Sequence, residues 1–123
     1  MKKIKFALLI DNDNIDNFIN QKVLHNIGVP NILTLTHTTD ALTFLKQTKE
    51  IPQLILLDIR FPIMDGFEFL DKYQELEISR QPIDIFILSA SINPADRQKA
   101  IEKKCAGFIE KPLTADKLST IDN

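Results

Sequence analysis

The sequence predicts an α/β fold in which five βα units form one doubly wound parallel sheet. Short apolar runs alternate with longer segments whose apolar residues recur at helical spacing. Two of these runs, QLILLD (53–58) and IDIFILS (83–89), are almost unbroken, which is typical of parallel strands buried on both faces. Five βα repeats are too few to close an eight-stranded barrel, so we expect an open sheet with right-handed crossovers.

The first βα unit occupies residues 3–28. The run KIKFALLI (3–10) predicts a strand, and residues 14–28 predict an amphipathic helix. Gly28 stands where a left-handed C-cap favours glycine. The apolar residues that share one face of this helix are Ile15, Phe18, Ile19, Val23 and Ile27.

The second and third units follow the same order. NILTLT (31–36) predicts a strand rich in β-branched residues, and TTDALTFLKQ (38–47) predicts a helix that Thr38 or Thr39 could cap through its hydroxyl. After the buried strand QLILLD, a third helix is expected over residues 65–76. Its apolar side consists of Phe69, Leu70, Tyr73 and Leu76.

The last two units complete the pattern. Residues 93–107, after the strand IDIFILS, predict a helix that Asn93 caps, with Pro94 at its first position and an end near Gly107. GFIEK (107–111) predicts the fifth strand, and TADKLSTI (114–121) predicts a short fifth helix.

Length and composition limit the class of protein. A chain of 123 residues is expected to form one domain, residues 1–123, without an effector domain. Hydrophobic residues make up 44% of the chain and there is a single cysteine, which excludes a disordered chain and a disulfide scaffold. The net charge of −2 gives no electrostatic reason to expect nucleic-acid or membrane binding. No apolar run could span a bilayer and no secretion signal is recognisable, so we expect a cytoplasmic protein.

The chemistry of such a sheet is expected at the carboxyl ends of its strands, where open α/β sheets bind their ligands. The polar residues at those ends are Asp11, Asn12, Asp13, Asp58, Ser89 and Lys111. In the strand order 2-1-3-4-5, strands one and three are neighbours, so Asp11 lies close to Asp58. Two carboxylates this close repel each other, and a hard divalent cation such as Mg²⁺ relieves the repulsion.

These residue types suit phosphoryl transfer. An aspartate carboxylate can act as a nucleophile and form an aspartyl phosphate. The reaction needs mainly positioning and charge neutralisation, which Mg²⁺ and Lys111 could supply, while Ser89 offers a hydroxyl to a phosphoryl oxygen. The strand ends therefore predict a magnesium-dependent phosphorylation site.

Four segments make the chain resemble the receiver domain of two-component response regulators. They are IDND after strand one, LLDIRFPIMDG around Asp58, LSAS at strand four and FIEKP at strand five, in that order over essentially the whole chain. The resemblance implies the flavodoxin-like strand order 2-1-3-4-5 of a single-domain, chemotaxis-receiver-like protein. It also implies a signalling switch that catalyses only its own phosphorylation and dephosphorylation.

The resemblance also implies roles for particular residues. Asp58 would accept a phosphoryl group from a phosphohistidine on a sensor histidine kinase or a histidine phosphotransfer protein. Ser89 and Lys111 would contact that group. The Mg²⁺ ligands would be Asp11, Asp58 and the backbone carbonyl of Arg60, and the rotamer of Phe108 would report the state of Ser89.

Phosphorylation would change a surface that other proteins recognise. This surface is expected to consist of helix four, strand five and helix five, residues 93–119. Its partner would be an unidentified downstream protein. Phosphorylation could also lead two copies of the chain to form a dimer.

Two residues depart from the family pattern. Asn12 stands where the family usually has a second acid that binds the metal, so we expect weaker Mg²⁺ binding unless Asp13 turns inward. Arg60 lies two residues after Asp58, where a bulky cation would obstruct the water that hydrolyses the aspartyl phosphate.

Parts of the sequence also fit two other functions. A degenerate receiver would bind its partner without being phosphorylated, and only Asn12 favours it. A haloacid-dehalogenase-like phosphatase would use Asp11 as nucleophile and Asp13 as acid and base. The phosphatase lacks support because no acidic pair follows strand four and no cap insertion is present in the sequence.

Overall fold

The computed structural model describes residues 4–91 and 93–119. Five parallel strands lie in the order β2-β1-β3-β4-β5, which confirms the predicted doubly wound sheet. The elements are β1 (Phe6–Ile10), α1 (Asn14–Asn26), β2 (Asn31–Leu35), α2 (Thr38–Gln47), β3 (Leu54–Leu57), α3 (Gly66–Tyr73), a 3₁₀ turn (Glu77–Arg80), β4 (Asp84–Ser89), α4 (Pro94–Glu102), β5 (Gly107–Glu110) and α5 (Ala115–Ser119). The predicted first residue of strand one, Lys3, and the predicted end of helix five, residues 120–121, lie outside the described residues. None of the helices described is long and apolar enough to cross a membrane.

The core lies in two layers, one on each face of the sheet. Consecutive residues of a strand point to opposite faces, so β1 sends Leu8 and Ile10 to one layer and Ala7 and Leu9 to the other. Helices α2, α3 and α4 cover the first layer, and α1 and α5 cover the second. Because both faces are covered, every residue of β1 and β3 is buried.

Most of the predicted apolar face of α1 does not lie against the sheet; of its residues, Val23 packs on the core. Ile15 is 68% exposed and Phe18 is 59% exposed, whereas the residues of this helix that are buried are Asn17, Asn20 and Leu24. An apolar face normally marks the side that packs on the core. Here the inner side is partly polar because the Asn17 amide donates to the backbone carbonyls of Asp11 and Leu35, at 3.1 and 3.3 Å.

The start of α2 also differs from its prediction. The N-cap is His37, and neither Thr38 nor Thr39 takes that position. The Thr38 hydroxyl instead donates to the backbone carbonyl of Met64, at 2.6 Å, and the residue is buried. Thr38 therefore ties α2 to the loop between β3 and α3.

Other helix ends follow the sequence more closely. Gly28 has a φ of +97°, as a left-handed cap requires, and Asn93 caps α4 with Pro94 at its first turn. Two helices end earlier than predicted, α3 at Tyr73 and α4 at Glu102. The end of α4 is followed by Lys104, whose φ of 65° is left-handed and cannot continue a helix.

Candidate functional site

The register of the sheet brings two aspartates together. Ile10 of β1 lies opposite Leu57 of β3, so the next residue of each strand, Asp11 and Asp58, emerges at the same edge. Both side chains are nearly buried, with relative exposures of 4% for Asp11 and 8% for Asp58. Two carboxylates at a buried edge need a cation or hydrogen-bond donors close by.

The ammonium group of Lys111 supplies that positive charge. Its Nζ donates to Asp11 Oδ2 at 2.8 Å, to Asp16 Oδ2 at 2.8 Å and to Asp58 Oδ2 at 3.3 Å. Lys111 directly follows β5, so four strands of the sheet and about a hundred residues of chain lie between it and Asp11 in the sequence. One cation thus holds three carboxylates.

Asp16 is the site residue that the sequence analysis missed. It lies in the first turn of α1, five residues after Asp11, and its side chain is 36% exposed. The signal that could have found it is its place in the same acidic stretch, IDNDNID, at the edge of the sheet where the site lies. The bond between Asp16 and Lys111 depends on the rotation of α1 about its axis. The apolar pattern of α1 predicts the wrong rotation, because most of those apolar residues are exposed.

Burial and pairing shift the ionisation of these groups. Desolvation by burial raises the pKa of Asp11 despite the opposing hydrogen bonds from Lys111 and from the Asp13 backbone. Burial alone would lower the pKa of Lys111, but the bonds to Asp11 and Asp16 outweigh it and hold that pKa above its usual range. Lys111 is therefore a permanent cation at physiological pH.

Backbone N–H groups orient the two buried carboxylates. The N–H of Asp13 donates to Asp11 Oδ1 at 2.9 Å, and the N–H of Arg60 donates to Asp58 Oδ1 at 3.2 Å. The Asp13 side chain points elsewhere, because it caps α1 by accepting from the N–H groups of Ile15 and Asp16. Asp13 therefore does not turn inward to replace the charge that Asn12 lacks.

The loop that carries Asp58 packs against the start of α3 at Gly66. A Cβ on Gly66 would lie 2.7 Å from the Asp58 carbonyl oxygen and 2.8 Å from Ile59 Cα. The Gly66 N–H also donates to the Ile59 carbonyl at 3.1 Å. Glycine is required here because the backbone of the loop approaches too closely for any side chain.

The remaining predicted residues surround this cluster. Ser89 ends β4, is buried and donates its hydroxyl to the Ser91 carbonyl at 3.2 Å. Phe108 lies half-buried in β5, and the guanidinium carbon of Arg97 lies 4.2 Å from the centroid of its ring. The Arg60 side chain is exposed and its Nη2 lies 3.4 Å from Asp96 Oδ2 on α4. Asn12 is exposed beside Asp11.

A family model for the response regulator receiver domain matches residues 7–121. The chain is a response regulator receiver domain. Its fold places it among the receivers of two-component signalling, and the domains of that family are signalling switches that generally bind Mg²⁺ at their acidic site.

Solved structures and curated proteins resemble this receiver domain over most of its length. A two-component response regulator from Cytophaga hutchinsonii is 30% identical, with a TM-score of 0.89 over 99% of this chain and 96% of that one. The sensor histidine kinase CheAY of Helicobacter pylori is 28% identical over 94% of this chain, which spans only 14% of that kinase. Two-component response regulator 24 of Arabidopsis thaliana is 28% identical over 94% of this chain and 79% of that protein.

The acidic edge of the receiver domain fits a magnesium ion. Asp11 and Asp58 both direct an oxygen at one cation, the Lys111 ammonium, at 2.8 and 3.3 Å. Mg²⁺ needs only one or two protein carboxylates, since it keeps several waters and binds phosphate oxygens. In residues 4–91 and 93–119 no group of three or more acidic, His or Cys side chains is arranged to hold a metal ion.

Proposed function

We propose that this receiver domain accepts a phosphoryl group on Asp58, in a reaction that uses Mg²⁺, and that residues 1–123 form a single phosphorylation switch. The observation that carries the proposal is the position of the Asp58 carboxylate. It is buried at the end of β3, and one ammonium group joins it to Asp11. Such a carboxylate is oriented before the reaction, so little ordering remains to be done in the transition state.

The donor proposed is a phosphohistidine on a sensor histidine kinase or a histidine phosphotransfer protein. An Asp58 oxygen attacks phosphorus, the phosphorus–nitrogen bond breaks, and its electron pair stays on the imidazole nitrogen. Asp11, Asp58 and the Arg60 carbonyl would hold Mg²⁺, which would supply positive charge to the phosphoryl oxygens. Lys111 supplies a second cation at the same edge. The similarity to a sensor histidine kinase supports a donor of this class.

The switched surface is proposed to be α4, β5 and α5. A phosphoryl group adds about 1.5 to 2 negative charges and three acceptor oxygens beside Ser89. The Ser89 hydroxyl now bonds the Ser91 carbonyl, and it would turn to the phosphoryl group instead. Phe108 lies on the neighbouring strand under Arg97 of α4, so a shift at the end of β4 would reach α4 through this pair. A downstream protein, or a second copy of this chain, would bind the changed surface.

The direct test is modification by a small phosphodonor. Acetyl phosphate with Mg²⁺ is expected to add one phosphoryl group to the intact protein, as measured by mass spectrometry, and Asp58→Asn is expected to abolish the addition. Asp65→Asn is the matched control, because Asp65 caps α3 seven residues away and asparagine caps equally well. Addition of the group to Asp58→Asn would contradict the proposal.

A degenerate receiver is the second candidate, and Asn12 is the observation that favours it. The absence of any modification of the wild type by acetyl phosphate would support this candidate. The phosphatase reading is set aside, because the chain belongs to the receiver family and Asp13 caps α1 rather than facing Asp11.

Asn12→Asp is expected to raise the affinity for Mg²⁺ about tenfold, which corresponds to about 1.4 kcal/mol. The reason is that a carboxylate beside Asp11 adds a charged ligand where Asn12 offers only an amide oxygen. Isothermal titration calorimetry would measure the change. Asn14→Asp, which adds the same charge two residues further on, is the control. An equal gain in Mg²⁺ affinity in both variants would show that the added charge attracts the ion without binding it directly.

Arg60→Ala is expected to shorten the lifetime of the aspartyl phosphate several-fold. The Arg60 guanidinium lies beside Asp96 of α4, and from there it would hinder the approach of hydrolytic water to the neighbouring aspartyl phosphate. Loss of the added mass over time, after the phosphodonor is removed, measures the lifetime. Arg80→Ala, in the 3₁₀ turn, serves as the control. Hydrolysis no faster in Arg60→Ala than in the wild type would contradict this role.

A further inference from the structure

Asp16 makes a contact that the proposed reaction does not require. Its Oδ2 accepts from Lys111 Nζ at 2.8 Å, as short as the bond from Lys111 to Asp11. The backbone of Asp16 is fixed, because it belongs to the first turn of α1 and its N–H is bound by the Asp13 cap at 3.4 Å. Unlike Asp11 and Asp58, Asp16 is not among the residues that would bind the metal.

The three acids compete for one lysine, and the metal would change that competition. Asp11 and Asp58 now pair with Lys111. If they held a divalent cation, it would compete for these carboxylates and repel the ammonium group. A lysine on a flexible four-carbon stem can then swing into water. Asp16 alone of the three would still hold it, because its carboxylate would not be engaged by the metal.

Asn12 makes this contact more important. With a neutral residue at that position, Asp11 and Asp58 are the only buried carboxylates at the edge of the sheet within the described residues. Asp16 restores a third negative charge, but it adds that charge on the Lys111 side of the cluster. The third acid is therefore placed to hold the lysine, whereas an acid at position 12 would lie beside Asp11.

We propose that Asp16 is a positioning residue, which keeps Lys111 in the site while Asp11 and Asp58 bind Mg²⁺ and the phosphoryl group arrives. The inference rests on the proposed function, since it concerns the state in which metal is bound. The ammonium moves little between the two states, because one of its three bonds is kept. Lys111 is then already in place to pair with the phosphoryl oxygens.

The test follows the mobility of the Lys111 ammonium by side-chain ¹⁵N relaxation, on protein labelled at lysine. The Lys111 signal is identified by its absence from Lys111→Met. The wild type is compared with Asp16→Asn, with Asp16→Glu, and with Asp13→Asn as the matched control. Asp13→Asn removes the same charge three residues away and keeps the helix cap, because the Asp13 side chain accepts from the N–H groups of Ile15 and Asp16 and not from Lys111.

In the wild type the Lys111 ammonium is expected to stay restrained before and after Mg²⁺ is added. In Asp16→Asn it is expected to become more mobile without metal and freely mobile with it, while Asp13→Asn behaves as the wild type. Asp16→Glu is expected to restore part of the restraint. Phosphorylation by acetyl phosphate should slow about fivefold in Asp16→Asn, the equivalent of about 1 kcal/mol. Equal restraint in Asp16→Asn and the wild type, or equal loss in Asp13→Asn, would overturn the proposal.

The two proposals fail in different ways. If the wild type bound no Mg²⁺ and accepted no phosphoryl group, the proposed function would fall. The comparison without metal would still decide whether Asp16 restrains Lys111, because it needs neither the metal nor the phosphodonor.

Discussion

Lys111→Met is expected to destabilise the folded domain by about 2 kcal/mol at neutral pH. The variant leaves Asp11, Asp16 and Asp58 facing one another without the ammonium that now joins them. Breaking a fully buried pair typically costs about 3–5 kcal/mol, and the smaller figure allows for the partial exposure of this cluster to water. Urea unfolding measures the change, and Lys46→Met, an exposed lysine of α2, is the control.

The stability that Lys111→Met loses is expected to depend on pH. Burial raises the pKa of Asp11 above its usual value, so the folded state binds protons more readily than the unfolded chain and gains stability as the pH falls. The deficit of Lys111→Met should therefore shrink from neutral to acidic pH, as the unpaired carboxylates are protonated. In the wild type, the raised pKa of Lys111 gives a contribution that is complete below the ordinary lysine pKa and is lost as the pH rises through the folded value.

Magnesium is expected to restore part of the stability of Lys111→Met. A divalent cation that binds Asp11 and Asp58 only in the folded state stabilises that state by an amount that grows with the logarithm of the metal concentration above its dissociation constant. The rescue should exceed the effect of Mg²⁺ on the wild type, because no ammonium competes for the carboxylates. A variant that loses no stability at neutral pH, or gains none from Mg²⁺, would contradict the electrostatic account of the cluster.

Gly66→Ala is expected to destabilise the domain by about 1–3 kcal/mol and to slow phosphorylation of Asp58. The added methyl would meet the Asp58 carbonyl oxygen at 2.7 Å and Ile59 Cα at 2.8 Å, and both contacts are with backbone that cannot yield cheaply. The loop that carries Asp58 must then move away from α3. Because Asp58 is the nucleophile, moving its loop is expected to slow the reaction as well as destabilise the fold.

The direction in which Gly66→Ala changes the free energy of unfolding distinguishes a clash from an ordinary helix substitution. In an unobstructed helix, alanine is about 1 kcal/mol more favourable than glycine, so a substitution without the clash should stabilise α3. Urea unfolding and the initial rate of modification by acetyl phosphate would be measured on the same preparation. Unchanged or increased stability would show that the close approach at Gly66 is not a constraint.

The sheet and the pair of buried aspartates could be predicted because they depend on simple regularities. Unbroken apolar runs marked β3 and β4, and the strand order brought the residues after β1 and β3 to one edge. Lys111 was predicted for the same reason, since it follows β5. No knowledge of side-chain packing was needed for these residues.

The parts that escaped prediction depend on packing between elements. The apolar face of α1 is exposed because Asn17 and Asn20 occupy its inner side, so the periodicity of that helix pointed away from the sheet. The role of Asp16 follows from that rotation and from the reach of a lysine ninety-five residues later. Thr38 or Thr39 was expected to cap α2, but the N-cap is His37, and the Thr38 hydroxyl donates to the Met64 carbonyl, a contact between distant segments.

The most direct test of the central claim is to locate the acyl phosphate on the chain. The wild-type protein would be treated with acetyl phosphate and Mg²⁺, reduced with borohydride to convert the acyl phosphate to a stable alcohol, and sequenced by tandem mass spectrometry. The account predicts that the reduced residue is Asp58, at the end of β3 beside Asp11 and Lys111. Modification at Asp11 in its place, or of no aspartate at all, would contradict it.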